Sequence, residues 1–310
     1  MSYLGIQSQI SRNNRNSVLL LIAFPTLLLG MVYAFLFLIS ADKSQVGTQF
    51  LSVMPLVLVI VGIWFLIAYF GNVAFINMAT GARPLERKEN LRVYNLVENL
   101  CISQGMKMPK IFIIEDDSLN AYASGINEKT YAVTLSRGII NRLNDEELEG
   151  VIAHELTHII NRDVRLLIIS IVFVGIFAFI SQMAARSFFY SSSFGRSRDN
   201  KNNNAIIIIA IIVISAFAYF ISTLLKFGIS RKREYMADAG AAAMTHHPRA
   251  LASALRKISQ DPVIESVQNA DVAQLFIEHP QVEKKKGMGL SGLFNTHPPI
   301  EKRIEILENF

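Results

Sequence analysis

The 310-residue sequence has very little cysteine and little charge. Its single cysteine, Cys101, cannot form an internal disulfide, which excludes disulfide-stapled secreted folds. Only 18% of the residues are charged and 51% are apolar, whereas ordinary soluble domains carry about 25% charged residues. No recognised nucleic-acid motif accompanies the net charge of +5, so we expect no nucleic-acid partner. The composition predicts a membrane protein whose basic residues flank its spans.

Four long apolar runs account for this composition. The first two, 17–40 and 53–76, are each long enough to cross a bilayer, since about 20 residues at 1.5 Å each cover the hydrocarbon core. The first run is too long for the apolar region of a secretory signal, so we expect it to remain as an anchor. The runs 166–185 and 205–225 are similarly apolar. A buried hairpin in a soluble core is an alternative for this second pair.

The basic residues beside these runs predict their orientation. Of the lysines and arginines close to the ends of the runs, twelve lie on the side that contains the N-terminus and the segments 83–165 and 226–310, against five on the other side. Basic residues concentrate in cytoplasmic loops. We therefore expect a multi-pass protein of the cell inner membrane whose longer polar segments face the cytoplasm.

The polar remainder carries patterns typical of a small α+β domain. Apolar residues at helical spacing predict an amphipathic helix over 86–104, and short apolar runs predict strands at 110–115 and 131–135. Asn144 stands three residues before Glu147, a capping-box pattern that predicts the start of another helix.

That second helix contains the HExxH pattern, from His154 through Glu155 to His158. Residues four apart share one face of a helix, so both imidazoles can bind one zinc ion. Glu155 is offset around the helix and is expected to act on water as a general base. The alternative to a metal site is two unrelated histidines on one helix. If a metal is bound, the same ligands would also accept a divalent ion other than zinc.

A catalytic zinc site of this kind needs a third protein ligand, for which Glu234 is the candidate. A helix continuing out of the fourth run would carry it about 13 Å beyond the bilayer. Two expected membrane crossings, by the third and fourth runs, separate His158 from Glu234, so both residues should lie on the same side of the membrane. Asp238, one turn later, could accept the outer N–H of a ligating histidine. The alternative for both acids is a solvated helical face that balances neighbouring basic residues.

These motifs resemble the HtpX-type membrane-bound zinc metalloproteases, whose wider peptidase family includes the CAAX prenyl endopeptidases. The resemblance extends over most of the chain and rests on four elements. They are the HExxH helix continued through Asp163, the step from Glu234 to Asp238, the segment Asn120-Ala121-Tyr122-Ala123, and Thr296-His297-Pro298-Pro299 followed by Arg303. The resemblance implies one zinc ion per chain bound by His154, His158 and Glu234, with Glu155 as the catalytic acid and base.

Further assignments come from the resemblance alone. The segment 120–123 is similar to the family's substrate-binding edge strand, which holds extended peptides by main-chain hydrogen bonds, and a polar turn is its alternative. His297 is expected near the zinc as a donor to the developing oxyanion, and a surface turn before two prolines is its alternative. Arg303 is expected to order that segment or to pair with the acids behind the metal ligands.

The resulting fold class is a mainly α membrane protein, with four hydrophobic transmembrane helices and a cytoplasmic α+β zincin-type metalloprotease domain containing a small sheet. The expected organisation has four parts. They are an N-terminal membrane region 1–82, a first catalytic segment 83–165, a transmembrane hairpin 166–225 and a second catalytic segment 226–310.

The expected function is zinc-dependent cleavage of misfolded or damaged membrane proteins, in association with the bilayer and with other membrane quality-control proteases. A processing protease of the prenyl-endopeptidase kind is one alternative, although four spans are too few to enclose an intramembrane chamber. A non-catalytic metal-binding membrane scaffold is another. The near absence of ionisable residues within the four runs argues against a transport pathway.

Overall fold

Helices account for most of the described structure. The computed structural model describes residues 6–171, 231–261, 275–277 and 298–310, with isolated positions between 176 and 186. Its principal helices are α1 (Ile6–Ile39), α2 (Val46–Thr80), α3 (Leu91–Ser103), α4 (Arg137–Arg142), α5 (Asp145–Ile160), α6 (Arg231–Thr245), α7 (Pro248–Ile258) and α8 (Ile300–Glu308). Its strands are β1 (Arg83–Pro84), β2 (Lys110–Ile114), β3 (Ala121–Ser124) and β4 (Ala132–Ser136). The predicted mainly helical fold with a small sheet is confirmed.

The first two apolar runs form helices long enough to cross a membrane. The candidate spans are Ile10–Ile39 and Lys43–Thr80. Each helix contains one proline in its interior, Pro25 or Pro55, which membrane helices tolerate. Large apolar side chains of α2 are exposed, Leu51 by 63% for example. An outward apolar surface of this kind is typical of a lipid-facing helix.

The second pair of runs lies largely beyond the described residues. Of 166–185, the structure describes 166–171, as part of a helix that begins at 163, and isolated positions after it. The run 205–225 is outside the described residues. Two candidate membrane helices are therefore found in the described part of the chain, and the third and fourth spans stay predictions.

A four-stranded mixed sheet in the described residues packs against α5. Its strand order is β1-β2-β4-β3. β2 pairs in parallel with β4, and β3 pairs antiparallel with the other side of β4. The patterns predicted β2 and β4 to within one residue at each end but did not indicate the two-residue β1. β3 is the last strand on its side, and all four of its residues are buried.

A capping box starts α5, as the sequence predicts. The N–H of Glu147 donates to Oδ1 of Asn144 at 2.8 Å, and the N–H of Asn144 donates to Oε2 of Glu147 at 3.0 Å. α6 packs on α5 at a glycine, because a Cβ added to Gly240 would lie only 2.4 Å from Cγ2 of Thr157. This close approach brings α6 to the part of α5 that carries the HExxH residues.

Contacts divide the chain into two compact units. One consists of Met1–Arg15, Phe70–Ile168 and Phe227–Phe310 and contains the sheet and helices α3 to α8. The other consists of Asn16–Tyr69 and Ile169–Lys226 and contains the C-terminal part of α1 and the N-terminal part of α2. All residues of the candidate site discussed below belong to the first unit. The four-part organisation stays a prediction.

Candidate metal centre

α5 and α6 bring three potential metal ligands together. The Nε2 atoms of His154 and His158, one turn apart on α5, are 3.1 Å from each other. Glu234 on α6 has Oε2 at 3.6 Å from Nε2 of His154 and Oε1 at 3.6 Å from Nε2 of His158. Among the described residues, these three form the one histidine and carboxylate group whose ligand atoms all lie within 4.8 Å.

The spacing of these atoms fits a tetrahedral metal ion. Zinc bonds of about 2.0–2.1 Å separate neighbouring tetrahedral ligand atoms by about 3.3 Å. The observed separations of 3.1 and 3.6 Å lie on either side of that value. Two imidazoles and one carboxylate are also a ligand set that zinc uses at catalytic sites with an open fourth position.

A carboxylate lies behind each histidine. Nδ1 of His154 is 3.0 Å from Oδ1 of Asp238, and Nδ1 of His158 is 3.1 Å from Oδ2 of Asp163. The His158 contact has hydrogen-bond geometry, and a carboxylate only accepts hydrogen bonds, so Nδ1 of His158 carries the proton and its Nε2 keeps its lone pair for a metal. His154 and Asp238 form an ion-pair contact. The sequence predicts Asp238 in this position. Asp163 belongs to the motif that carries the resemblance, but its contact with His158 was not predicted, although it follows His158 by only five residues.

Arg303 on α8 balances the buried negative charge. It is 0% exposed, and its Nε and Nη2 donate to the two oxygens of Asp238 at 2.8 and 2.7 Å. Its Nη1 lies 3.5 Å from Oε2 of Glu234 and donates to the carbonyl of Ile277 at 3.2 Å. Arg303 thus pairs with the acids behind the metal ligands, which is one of its two expected roles. It also binds the backbone of Ile277.

The buried charges favour a cation at the histidines. Burial alone would lower the pKa of His154, but the carboxylates of Asp238 and Glu234 outweigh it and raise that pKa to about 9. Burial would likewise raise the pKa of Asp238, but Arg303 and His154 lower it to about 2. Asp238 is therefore ionised near neutral pH, and its charge stabilises positive charge at the His154 ring.

Glu155 lies between the two histidines in sequence and is buried. Glu155 is 1% exposed, and this burial raises the pKa of its carboxyl group. Positive charge on the neighbouring histidines and a hydrogen bond from the backbone of Ala123 act in the opposite direction. A carboxyl group with a raised pKa is suited to general acid and base chemistry.

The segment predicted as an edge strand lies beside Glu155. Residues 121–124 form β3, and Oδ1 of Asn120 accepts from the N–H of Ala121 at 3.0 Å. Tyr122 is fully buried, and burial raises its pKa to about 12. Its hydroxyl lies 3.0 Å from that of Thr80, the last residue of α2. The edge strand therefore contacts the end of a candidate membrane helix.

The outer edge of β3 is partly covered by the chain itself. The N–H of Ile277 donates to the carbonyl of Ala121 at 2.9 Å, and Phe276 forms an antiparallel bridge with Tyr122. The Tyr122 and Phe276 rings also meet edge to face, with centroids 4.7 Å apart. Sequence patterns gave no signal for this pairing, since it joins segments about 150 positions apart.

Comparison with known proteins identifies the family. The model of peptidase family M48 matches residues 87–310. The chain belongs to peptidase family M48. The resemblance inferred from the motifs is thereby confirmed.

Curated relatives cover about nine-tenths of the chain. A protease HtpX homolog of Bacteroides fragilis is 63% identical over 291 residues, which are 90% of each chain. Another, of Listeria monocytogenes, is 38% identical over 281 residues, covering 88% of this chain and 90% of the relative. A crystal structure of S. mikatae Ste24p gives a TM-score of 0.49 at 21% identity, covering 96% of this chain and 66% of that one.

Membership in M48, with these HtpX-type relatives, makes the protein a membrane metalloprotease. The cluster of His154, His158 and Glu234 lies within the M48 match and offers the metal site that such a protease needs. His297, expected as an oxyanion donor, lies outside the described residues.

Proposed function

We propose that this M48 protein is a zinc-dependent endopeptidase that hydrolyses peptide bonds in misfolded or damaged membrane proteins. In this proposal it is a multi-pass inner-membrane protein with a cytoplasmic active site and one zinc ion per chain. The convergence of His154, His158 and Glu234, with ligand atoms within 4.8 Å of one another, carries the proposal. The M48 match supports peptide hydrolysis, and the two candidate spans support the location.

Glu155 is the proposed proton carrier. When bound, a zinc ion supplies a Lewis acid that makes water nucleophilic near neutral pH. The Glu155 carboxylate takes a proton from the attacking water and returns it to the leaving amine, and burial raises its pKa for this task. Asp238 and Asp163 hold the two histidine rings in fixed orientations before the reaction begins. On the resemblance, His297 is the proposed donor to the developing oxyanion.

β3 offers the backbone of the proposed substrate-binding strand. Strand addition uses main-chain hydrogen bonds, so it suits unfolded substrates of varied sequence. Ile277 already bonds to Ala121 at one end of this strand. The part near Ala123, whose N–H approaches Glu155, is therefore where we expect the scissile peptide to lie.

Contact between α2 and β3 supports the substrate class. Thr80 ends α2 and meets Tyr122 of β3 at 3.0 Å. A peptide added to β3 would lie near the end of a candidate membrane helix, where segments leaving the bilayer are accessible. We propose unfolded loops of membrane proteins as substrates, degraded alongside other membrane quality-control proteases.

The proposal is tested by purifying the full chain in detergent with zinc and measuring cleavage of an unfolded membrane protein. Glu155→Gln should reduce cleavage by about a hundredfold or more, because it removes the proton acceptor and leaves the metal ligands in place. The matched control is Glu146→Gln, the same change at an exposed residue of α5. Equal cleavage by the parent and Glu155→Gln would contradict the proposed mechanism.

Metal analysis of the same preparations tests the ligand set. The parent and Glu155→Gln should each retain about one zinc ion per chain, whereas Glu234→Ala should lose most of it. Full zinc content in Glu234→Ala would show that another residue is the third ligand.

A further inference from the structure

The N-terminal part of α1 contributes a buried amide near the metal centre. Asn13 is 2% exposed, and its Nδ2 donates to Oδ1 of Asp163 at 2.6 Å. The same nitrogen donates to the backbone carbonyl of Asn161 at 2.7 Å. Both acceptors follow directly after α5, which ends at Ile160. The Asn13 amide therefore fixes the turn that leaves the HExxH helix.

This turn has a backbone conformation that needs support. Arg162, between the two acceptors, has a φ of 60°, which is uncommon for residues other than glycine. The turn directs Asp163 back toward α5, where Oδ2 lies 3.1 Å from Nδ1 of His158. Asp163 is 3% exposed, so water has little access to compensate for a lost partner.

A continuous chain of contacts therefore runs from α1 to the metal ligands. Asn13 holds one oxygen of Asp163, and the other oxygen holds the ring of His158. A carboxylate anchored at both oxygens has a fixed orientation, and the Nε2 of His158 then faces His154 and Glu234. Asn13 lies before the M48 match, which begins at residue 87.

We propose that Asn13 is a positioning residue of the metal centre, which acts on His158 through Asp163. The inference rests on the proposed zinc site. The role of Asn13 is to keep the Asp163 carboxylate in the orientation that points Nε2 of His158 at the metal. Neighbouring Asn14 makes a different contact, since its Oδ1 accepts from Nη1 of Arg162 at 2.9 Å. Asn14 is therefore a matched control of the same residue type on the same turn.

The test measures zinc affinity of the full chain in detergent by competition with a chelator. Asp163→Ala should weaken binding by about 10–100-fold, the usual effect of removing a group that orients a ligand. Asn13→Ala should weaken it by about 3–10-fold, and Asn14→Ala by less than about twofold. The double variant Asn13→Ala/Asp163→Ala should match Asp163→Ala alone, because the proposed effect of Asn13 on His158 passes through that carboxylate.

Cobalt substitution supplies a readout that a purely structural role would not move. The visible absorption bands of bound Co²⁺ report ligand geometry, and Asn13→Ala should shift them while Asn14→Ala leaves them unchanged. The unfolding midpoint of the metal-free protein shows whether each variant is folded. If Asn13→Ala does not fold, Asn13→Ser takes its place with the same expectations.

The outcomes separate this inference from the proposed function. A parent chain that binds no zinc would contradict the proposed function. A parent that binds zinc, with affinity and cobalt spectrum unchanged in folded Asn13→Ala, would overturn the positioning role alone. Additive losses in the double variant would also overturn it, because Asn13 would then act by a route other than Asp163.

Discussion

Two clusters of charged side chains in the same unit have similar bond lengths but very different surroundings. In the metal centre, Nη2 of Arg303 lies 2.7 Å from Asp238, and both side chains are at most 3% exposed. On the surface, Nη2 of Arg137 lies 2.8 Å from Glu115, and these side chains are 28% and 47% exposed. Arg83 and Glu89 extend the surface cluster.

The comparison shows that burial, and not distance, decides what such a pair contributes. Exposed pairs are screened by water and salt and contribute little. A buried pair has lost its hydration, so each charge depends on its partner. The buried cluster is also assembled from α5, α6 and α8, whereas the surface cluster joins chain segments near one edge of the sheet. Only the buried cluster has the fixed geometry that metal binding and catalysis require.

Arg303→Met should have the largest effect on stability. The change leaves the Asp238 carboxylate buried without its guanidinium partner, and breaking such a pair costs about 3–5 kcal/mol of unfolding free energy. The measurement is denaturant unfolding of the metal-free protein, which separates stability from zinc binding. Arg303→Met with Asp238→Asn should recover part of the loss, since it removes the uncompensated charge. A loss under about 1 kcal/mol in the single variant would contradict the argument.

The sequence predicts those parts of the site that depend on local spacing. His154 and His158 share a face of α5 because they are four residues apart, and the capping box of Asn144 and Glu147 is a local motif as well. Glu234 was a candidate ligand from its place after the fourth apolar run, and two expected membrane crossings put it on the same side as the histidines.

Residues that reach the site through tertiary contacts were not predictable in this way. Asn13 approaches Asp163 across about 150 positions, and Ile277 approaches Ala121 across a similar separation. No periodicity or spacing encodes where α1 lies or which segment covers β3. The helix expected over 86–104 begins later, at Leu91, because the Asn90 side chain caps it by accepting from the N–H of Val93.

Glu147 provides an intermediate case, since it is buried but paired partly with exposed groups. Its Oε1 accepts from Ser253 and its Oε2 accepts from Lys257, each at 2.7 Å. Burial would raise its pKa, but these donors and the N–H of Asn144 outweigh it and lower the pKa below the ordinary 4.5. A lowered folded-state pKa stabilises the fold above about pH 4.5, and this contribution is lost as pH falls through the folded-state value.

Glu147→Gln should therefore reduce stability near neutral pH by about 1–2 kcal/mol, because it weakens the capping box and removes the charge facing Lys257. The difference between parent and variant should shrink as the pH falls below 4.5. Unfolding midpoints measured from about pH 7 to pH 3 give this difference, in which effects common to both chains cancel. A difference that stays constant over this range would show that the charge of Glu147 does not contribute.

Arg137→Met makes in the surface cluster the same change that Arg303→Met makes in the buried one. It should have the smallest effect on stability of the variants proposed. Arg137 loses contacts to Glu89 and Glu115, but these carboxylates remain hydrated and keep Arg83 as a partner. The unfolding midpoint should fall slightly at low ionic strength and match the parent at about 0.5 M salt, where charges are screened within a few ångströms. The loss in Arg303→Met should persist at both salt concentrations, because solvent ions do not reach its buried partner. If both variants responded equally to salt, or if Arg137→Met were as damaging as Arg303→Met, burial would not be what distinguishes the two clusters.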